Sequence, residues 1–232
     1  MKILIAGGTG FIGQALTKTL VQLGHDIFIL SRRRQQTKGQ VHFITWHENW
    51  PQLLEECTTV INLAGASVAG SRWTEKYKKK ILNSRVETTQ KVVEAIQKSK
   101  TPPSTFINAS AIGFYGDSDD TLLDENSTKG SEFLADVAHA WEATALQATN
   151  KTRVVCARIG LVLDSNGGAL KKMLPPFRLG LGGPLGNGQQ WMSWIHLDDI
   201  VQAFLTCIQN TKISGAVNLT SPKPIQQKEF AA

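Results

Sequence analysis

Apolar positions along this chain alternate between two rhythms. Short unbroken runs read as buried strands: Ile3-Leu4-Ile5-Ala6, Asp26 to Leu30, Val41 to Thr45, Thr59 to Ala64, Thr105 to Ser110, Val154 to Ile159 and Ala216 to Leu219. Between them the apolar residues recur at helical spacing. Leu16, Leu20 and Leu23 mark one helix, with Gly24 placed to stop it. A second begins near Ser84, carries Val86, Val92, Val93 and Ile96, and halts before Pro102-Pro103. A third shows Leu134, Val137, Ala138, Trp141 and Ala145 on one face. Strand and helix in alternation predict an α/β fold, with a parallel, doubly wound sheet. The stretch from Gly160 to Gly188 breaks the rhythm with Gly167-Gly168, Pro175-Pro176 and Gly182-Gly183-Pro184. It follows a strand's carboxyl end, so it reads either as a substrate loop or as a surface excursion packed on the core.

The first strand runs straight into Gly7-Gly8-Thr9-Gly10-Phe11-Ile12-Gly13 and then into the first helix. Strand, glycine turn and helix form the context of a dinucleotide fingerprint. Gly7 permits the tight turn, Gly10 lets the backbone approach a pyrophosphate, and Gly13 lets helix and strand pack closely. The helix N-terminus offers unpaired N–H groups and a positive partial charge to the phosphates. An NAD site usually ends its second strand on a carboxylate, which binds the ribose 2′-hydroxyl. Here the chain reads Leu30-Ser31-Arg32-Arg33-Arg34. A guanidinium grips a 2′-phosphate that a carboxylate would repel, so NADP(H) is expected, with Ser31 and Arg32 as contacts. Arg33 and Arg34 read equally well as solvated loop charge.

Composition narrows this little further. The chain has 232 residues, 41% of them hydrophobic, enough for one large domain or a domain with a small lobe. No stretch approaches the roughly 18 to 20 apolar residues of a membrane span. The opening apolar run is only a strand long, unlike a signal peptide. Cys57, Cys156 and Cys207 are few, scattered and odd in number, which suits buried thiols in a reducing compartment. Cytoplasm and no membrane partner are therefore expected. The net charge of +6 raises nucleic acid, but the basic residues form no long tract, and Lys76, Lys78, Lys79 and Lys80 read as the wet side of a helix. No nucleic-acid partner is expected. His42 and His47 lack a second ligand pair, so no metal site is expected.

Beyond the glycine motif, several short motifs carry a resemblance. These are Asn62-Leu63-Ala64-Gly65, Ser110 ahead of Tyr115-Gly116, Arg158-Ile159-Gly160 and Trp194-Ile195-His196-Leu197-Asp198-Asp199. With them the chain resembles, over nearly its whole length, the extended short-chain dehydrogenase/reductases, that is, the NAD(P)-dependent epimerase/dehydratases. Arg72-Trp73, Ser84-Arg85, Trp141-Glu142 and Pro176 to Pro184 bring it nearest to the 39U branch of epimerase family proteins. The resemblance implies a Rossmann-type sheet with a small C-terminal substrate lobe that looks truncated, the branch's tail running further. It divides the chain into a cofactor-binding domain, 1–165 and 191–220, and a discontinuous lobe, 166–190 and 221–232. It implies that Gly7, Gly10, Phe11, Ile12 and Gly13 hold the pyrophosphate, and Ser31 and Arg32 the adenosine phosphate. Leu63, Ala64 and Gly65 would line the cofactor's middle and its nicotinamide ribose. Arg85 falls near a position that is often Asn in the family, where it would bind cofactor phosphate or a substrate anion, or stand as exposed helix charge. Paired helices after the fourth and fifth strands make dimers in the family, so a homodimer is the assembly to test.

The departure is chemical. Family catalysis pairs Ser/Thr with Tyr-x-x-x-Lys, in which Lys lowers the Tyr pKa and Tyr moves the proton while hydride transfers. This chain has two tyrosines; four residues after Tyr77 is Ile81, and four after Tyr115 is Asp119. Leu134 stands about where the family Tyr would, and Ala138 where the Lys would. Ser110 remains, either to donate to a carbonyl oxygen or simply to satisfy the strand end. Tyr115 is a candidate replacement acid, or else packs over the cofactor edge. His139 is a weaker candidate, expected on another helix face. Trp191 and Trp194 read either as a stacking platform for a flat ligand or as core. Two functions follow: an NADP(H)-dependent oxidoreductase or epimerase-like enzyme acting on a small carbonyl or hydroxyl substrate, or a catalytically inactive NADP(H)-binding sensor or scaffold.

Overall fold

The computed structural model describes residues 1–33 and 35–232; Arg34, one of the basic residues after the second strand, lies outside the described residues. The first strand, β1 (Lys2–Ala6), alternates its side chains between two cores, Ile3 and Ile5 on one face and Leu4 and Ala6 on the other. The turn at its end leads into α1 (Phe11–Gln22), which lays Leu16 and Leu20 on the Ile3/Ile5 face. Then β2 (Asp26–Ser31) and β3 (Val41–Thr45) pair outward from β1, all parallel. The chain crosses back to the other side of β1 for β4 (Thr59–Asn62), and on through α2 (Glu75–Lys98), β5 (Thr105–Ala111), α3 (Phe133–Leu146) and β6 (Arg153–Ile159). Last come α5 (Leu197–Gln209) and β10 (Gly215–Leu219), which lies parallel to β6. The seven strands run in the order β10-β6-β5-β4-β1-β2-β3. This is the doubly wound parallel sheet that the alternation predicts. α1 and α5 cover one face; α2 and α3 cover the other. The strand order reverses between β1 and β4, so a crevice opens beyond their carboxyl ends.

Three departures from the expected boundaries have physical causes. β4 stops at Asn62, short of Ala64, because the Asn62 side chain turns into the α2 layer. There its amide donates to Thr89 Oγ1 (2.8 Å) and Asn108 Oδ1 (2.7 Å), while its Oδ1 accepts from the Ala64 N–H (3.2 Å). α2 starts at Glu75, nine residues before Ser84, capped by the Thr74 hydroxyl, which accepts from the Tyr77 N–H. Its first turns are the helix on whose wet side Lys76, Lys78, Lys79 and Lys80 were expected, and it runs without a break into the helix expected from Ser84. The 160–188 stretch is not one loop. It holds β7 (Leu161–Asp164), parallel to β9 (Trp194–His196), and α4 (Gly168–Arg178). α4 runs through Pro175 and Pro176, which forfeit their N–H bonds to earlier carbonyls; the Leu179 N–H donates to the Pro175 and Pro176 carbonyls (both 3.2 Å) and the Leu181 N–H to the Pro176 carbonyl (2.9 Å), which closes the end of the helix. β8 (Trp191–Met192) pairs antiparallel with β11 (Ile225–Gln226), just ahead of α6 (Gln227–Phe230). No described helix is long and apolar enough to cross a membrane.

All three cysteines are free and buried. Burial pushes the Cys57 and Cys156 thiols up to about 12, so both remain protonated at neutral pH. The native chain should therefore react slowly with a thiol-directed disulfide reagent at pH 7.5. The full three equivalents should appear quickly only after unfolding; fast labelling of the native chain would contradict this packing.

Candidate functional site

The crevice is built on backbone closeness at its centre. Gly7 adopts φ +82°, and a Cβ there would come within 2.7 Å of the Leu63 carbonyl carbon. A Cβ at Gly13 would come within 2.5 Å of the Gly7 oxygen. Neither backbone neighbour can move aside, so both positions require glycine. Gly10 differs: a Cβ there would meet only the Gly7 oxygen, at 3.2 Å, and would otherwise fill the cradle above the loop. Gly10 caps α1 without a side-chain bond, and the helix ladder begins with the Gln14 N–H donating to the Gly10 carbonyl (2.9 Å). The amides of Phe11, Ile12 and Gly13 precede that ladder and face the cradle end of the helix. Ile12 packs into the core. The Phe11 ring occupies the space beside Gly167 and Gly168, which would otherwise hold side chains, and so ties α1 to the start of α4.

Beyond β2, the buried Ser31 hydroxyl donates to the Arg33 carbonyl, which shapes the turn. Arg32 is exposed and bonds to no described residue. A cavity of about 520 Å³ adjoins this turn, with Gly8, Thr9, Gln14 and Gln35 at its rim over Ile29 and Phe43.

Beyond β4, the Leu63 N–H still donates to the Ala6 carbonyl (2.8 Å), carrying Leu63, Ala64 and Gly65 alongside the glycine turn. The Ala66 N–H donates to Ser84 Oγ (2.9 Å). Arg85 is not an exposed helix charge. Its Nη1 donates to the carbonyls of Ala66 and Ile81 (both 3.0 Å), and its Cζ lies 5.1 Å from the Trp141 ring centre. Burial holds its pKa below the ordinary guanidinium value.

Beyond β5 lies a chain of buried polar groups. Ser110 Oγ donates to Glu142 Oε1 (2.6 Å). Arg158 grips the same carboxylate with Nε (2.8 Å) and Nη2 (2.9 Å). Its Nη1 donates to the Tyr115 hydroxyl (2.9 Å) and the Glu125 carbonyl (3.2 Å). The Tyr115 hydroxyl donates to Asn218 Oδ1 (2.7 Å), and the Asn218 N–H donates to Glu125 Oε1 (2.8 Å). Burial alone would pull the Arg158 pKa down, but the bonds to Glu142 and Tyr115 outweigh it and hold the guanidinium above its ordinary value. The Phe114 ring lies against it, its centre 3.6 Å from Cζ. Ser110, expected as a donor to a ligand, spends its single proton on Glu142 and is 3% exposed. Ala138 is buried beside Phe114 and Tyr115. Leu134 lies near Gly113, and the His139 ring sits 6.4 Å from Phe114. Trp191 is half-exposed and donates to Asp120 Oδ1 (2.6 Å), while Trp194 donates to the Lys223 carbonyl (3.1 Å). Among the described residues no three His, Cys, Asp or Glu side chains gather as metal ligands.

Glu142 and Arg158 escaped a role in the sequence reading, although both stand in its motifs. A carboxylate on the inner face of a helix and an arginine inside a core strand were the available signal.

With this geometry, the comparisons with known proteins agree. The chain belongs to the NAD dependent epimerase/dehydratase family, whose pattern matches residues 3–219. It is 39% identical to the chloroplastic epimerase family protein SDR39U1 homolog of Arabidopsis thaliana, over 99% of this chain and 69% of that protein. It is 41% identical to the epimerase family protein YfhF of Bacillus subtilis, over 99% of this chain and 77% of that one. The crystal structure of human epimerase family protein SDR39U1 (isoform 2) with NADPH superimposes with a TM-score of 0.89 at 36% identity, covering 100% of this chain and 78% of the human one. The 39U branch to which the motifs point is thus the one these relatives represent.

Removing Glu142 leaves Arg158 as a buried charge without its anion. Glu142→Ala should cost about 3–5 kcal/mol in urea unfolding, and adding Arg158→Met should restore a large part of that loss. A single-mutant loss below about 1 kcal/mol would show the pair to be dispensable.

Proposed function

We propose that this chain binds NADP(H) and acts as an oxidoreductase on a small carbonyl or hydroxyl compound. The observation that carries the reading is the bare glycine cradle at the switch point with the unpaired Arg32 beside it. Gly7 and Gly13 bring the turn and helix close, and Gly10 leaves open the space a diphosphate would fill. The amides of Phe11, Ile12 and Gly13 hold that diphosphate. Ser31 fixes the turn and Arg32 takes the 2′-phosphate. Leu63, Ala64 and Gly65 line the middle of the cofactor. The NADPH in the human relative's structure supports the same choice. Residues 166–190 and 221–232 form the substrate side of the crevice, the rest the cofactor side.

The bound nicotinamide supplies or accepts a hydride. This chain's residues set the stage for it without the family dyad, since Leu134 and Ala138 carry no proton. Ser110 orients through Glu142. Tyr115 is the acid candidate: its phenol oxygen accepts from Arg158 and its proton points to Asn218. The Ser110–Glu142 bond favours a second reading, an NADP(H)-occupancy sensor without turnover. Following NADPH absorbance with a panel of aldehydes, ketones and quinones separates the two; tight binding with no turnover on any of them supports the sensor.

Arg32→Asp should weaken NADPH binding roughly tenfold or more, one charge-assisted bond being lost and a like charge added, while NADH binding changes little. Equal loss of both in a fluorescence titration would defeat the assignment of Arg32 to the 2′-phosphate.

A further inference from the structure

Arg85 is a partly buried cation with no carboxylate partner among the described residues. Its Nη1 is spent on two neutral carbonyls, and its guanidinium packs against the face of Trp141. None of its hydrogen bonds or ion pairs to a described residue involves a carboxylate, and none uses its Nε–Nη2 edge. That edge is the fork that matches a carboxylate or phosphate with two parallel bonds. Neutral carbonyls and a ring face make up only part of the hydration that the guanidinium loses on packing against Trp141, and no charge neutralises it there. The position of the guanidinium is fixed from three sides: α2 carries it, α3 presents Trp141, and Gly65 touches it. A Cβ on Gly65 would come within 3.1 Å of the Arg85 Cζ, so residue 65 leaves the guanidinium room at the crevice wall.

Strand order decides which anion fits. On the cofactor reading, which this inference rests on, the diphosphate lies over the end of β1 and the 2′-phosphate beyond β2. Arg85 lies on the opposite side of β1, beside the ends of β4 and β5. The diphosphate is then held from the β1 and α1 side, and Arg85 faces the crevice from the α2 side. We infer that the Nε–Nη2 edge of Arg85 anchors the acidic group of a second ligand, a carboxylate or phosphate ester, placing the substrate of this site among anionic compounds. The cation enters from α2, next to the helix face on which Ala138 stands in place of a lysine.

The test compares wild type, Arg85→Gln and Arg85→Lys. Oxalate and inorganic phosphate are the probes, titrated with and without saturating NADPH. Thermal midpoint reports anion binding, and a separate fluorescence titration reports NADPH affinity. Wild type should be stabilised by at least one probe at millimolar concentration, and the probe that works distinguishes a carboxylate from a phosphate site. Arg85→Gln should weaken that response roughly tenfold, with NADPH affinity changed less than about threefold. Arg85→Lys keeps the charge but loses the fork, and should give an intermediate response even if the Gln variant fails to fold. An unchanged anion response in both variants, or no response in wild type, overturns the inference. So does a loss that falls on NADPH alone, which would return Arg85 to the cofactor. Wild type that binds oxalate or phosphate through Arg85 but binds no NADPH would sink the cofactor reading and leave the anion site standing.

Discussion

The crevice exists because three backbone segments touch where side chains would hold them apart. The end of β1, the first turn of α1 and the exit of β4 converge within van der Waals distance around Gly7 and Gly13. This contact fixes the angle at which α1 leaves the sheet and sets the width of the opening between β1 and β4. It also leaves the first amides of the helix with no bond to a described residue. The binding surface is therefore a consequence of packing: a loop built of residues with side chains would fill the space and satisfy the amides locally.

A second constraint operates on the other side of the switch point. Ser110, Glu142, Arg158, Tyr115 and Asn218 form one continuous set of hydrogen bonds between β5, α3, β6 and β10. Every charge in it is paired and nearly every proton directed, which makes the carboxyl end of β5 stiff. The same completeness limits its chemistry. A hydroxyl whose proton is held by a carboxylate accepts hydrogen bonds more readily than it donates them, and a phenol held between a guanidinium and an amide is oriented before any ligand arrives. Proton transfer at this site would have to pass through groups already engaged with one another.

What the sequence discloses and what it conceals divide along sequence distance. The seven core strands and the glycine turn are local patterns, and hydrophobic runs with adjacent glycines announce them. The end of β4 was misplaced because Asn62 turns inward to partners 27 and 46 residues away. α4 was read as loop because prolines in a last helical turn look the same in sequence as prolines in a coil. At the site, Gly7 to Gly13 act within a few residues of one another, whereas Arg158 reaches Glu142 across 16 residues and Tyr115 across 43, and Tyr115 reaches Asn218 across 103. No spacing rule connects such positions. Ser110 illustrates the limit: its place at a strand end was legible, but the direction of its proton depends on a helix that begins more than twenty residues later.

The distribution of positive charge across the sheet follows from strand order. Arg32 stands beyond β2 in solvent, Arg158 is locked to Glu142 inside the β5–β6 layer, and Arg85 sits between these extremes beside β4, partly buried and joined to no carboxylate among the described residues. An exposed cation costs little to keep and binds weakly until a ligand phosphate covers it. A buried and paired cation is structural and offers nothing to a ligand. A partly buried cation held only by neutral groups is less well solvated than the first and less well neutralised than the second. The three arginines along the carboxyl edge of the sheet thus differ in kind: one open to solvent, one committed to the fold, and between them one held by neutral groups alone.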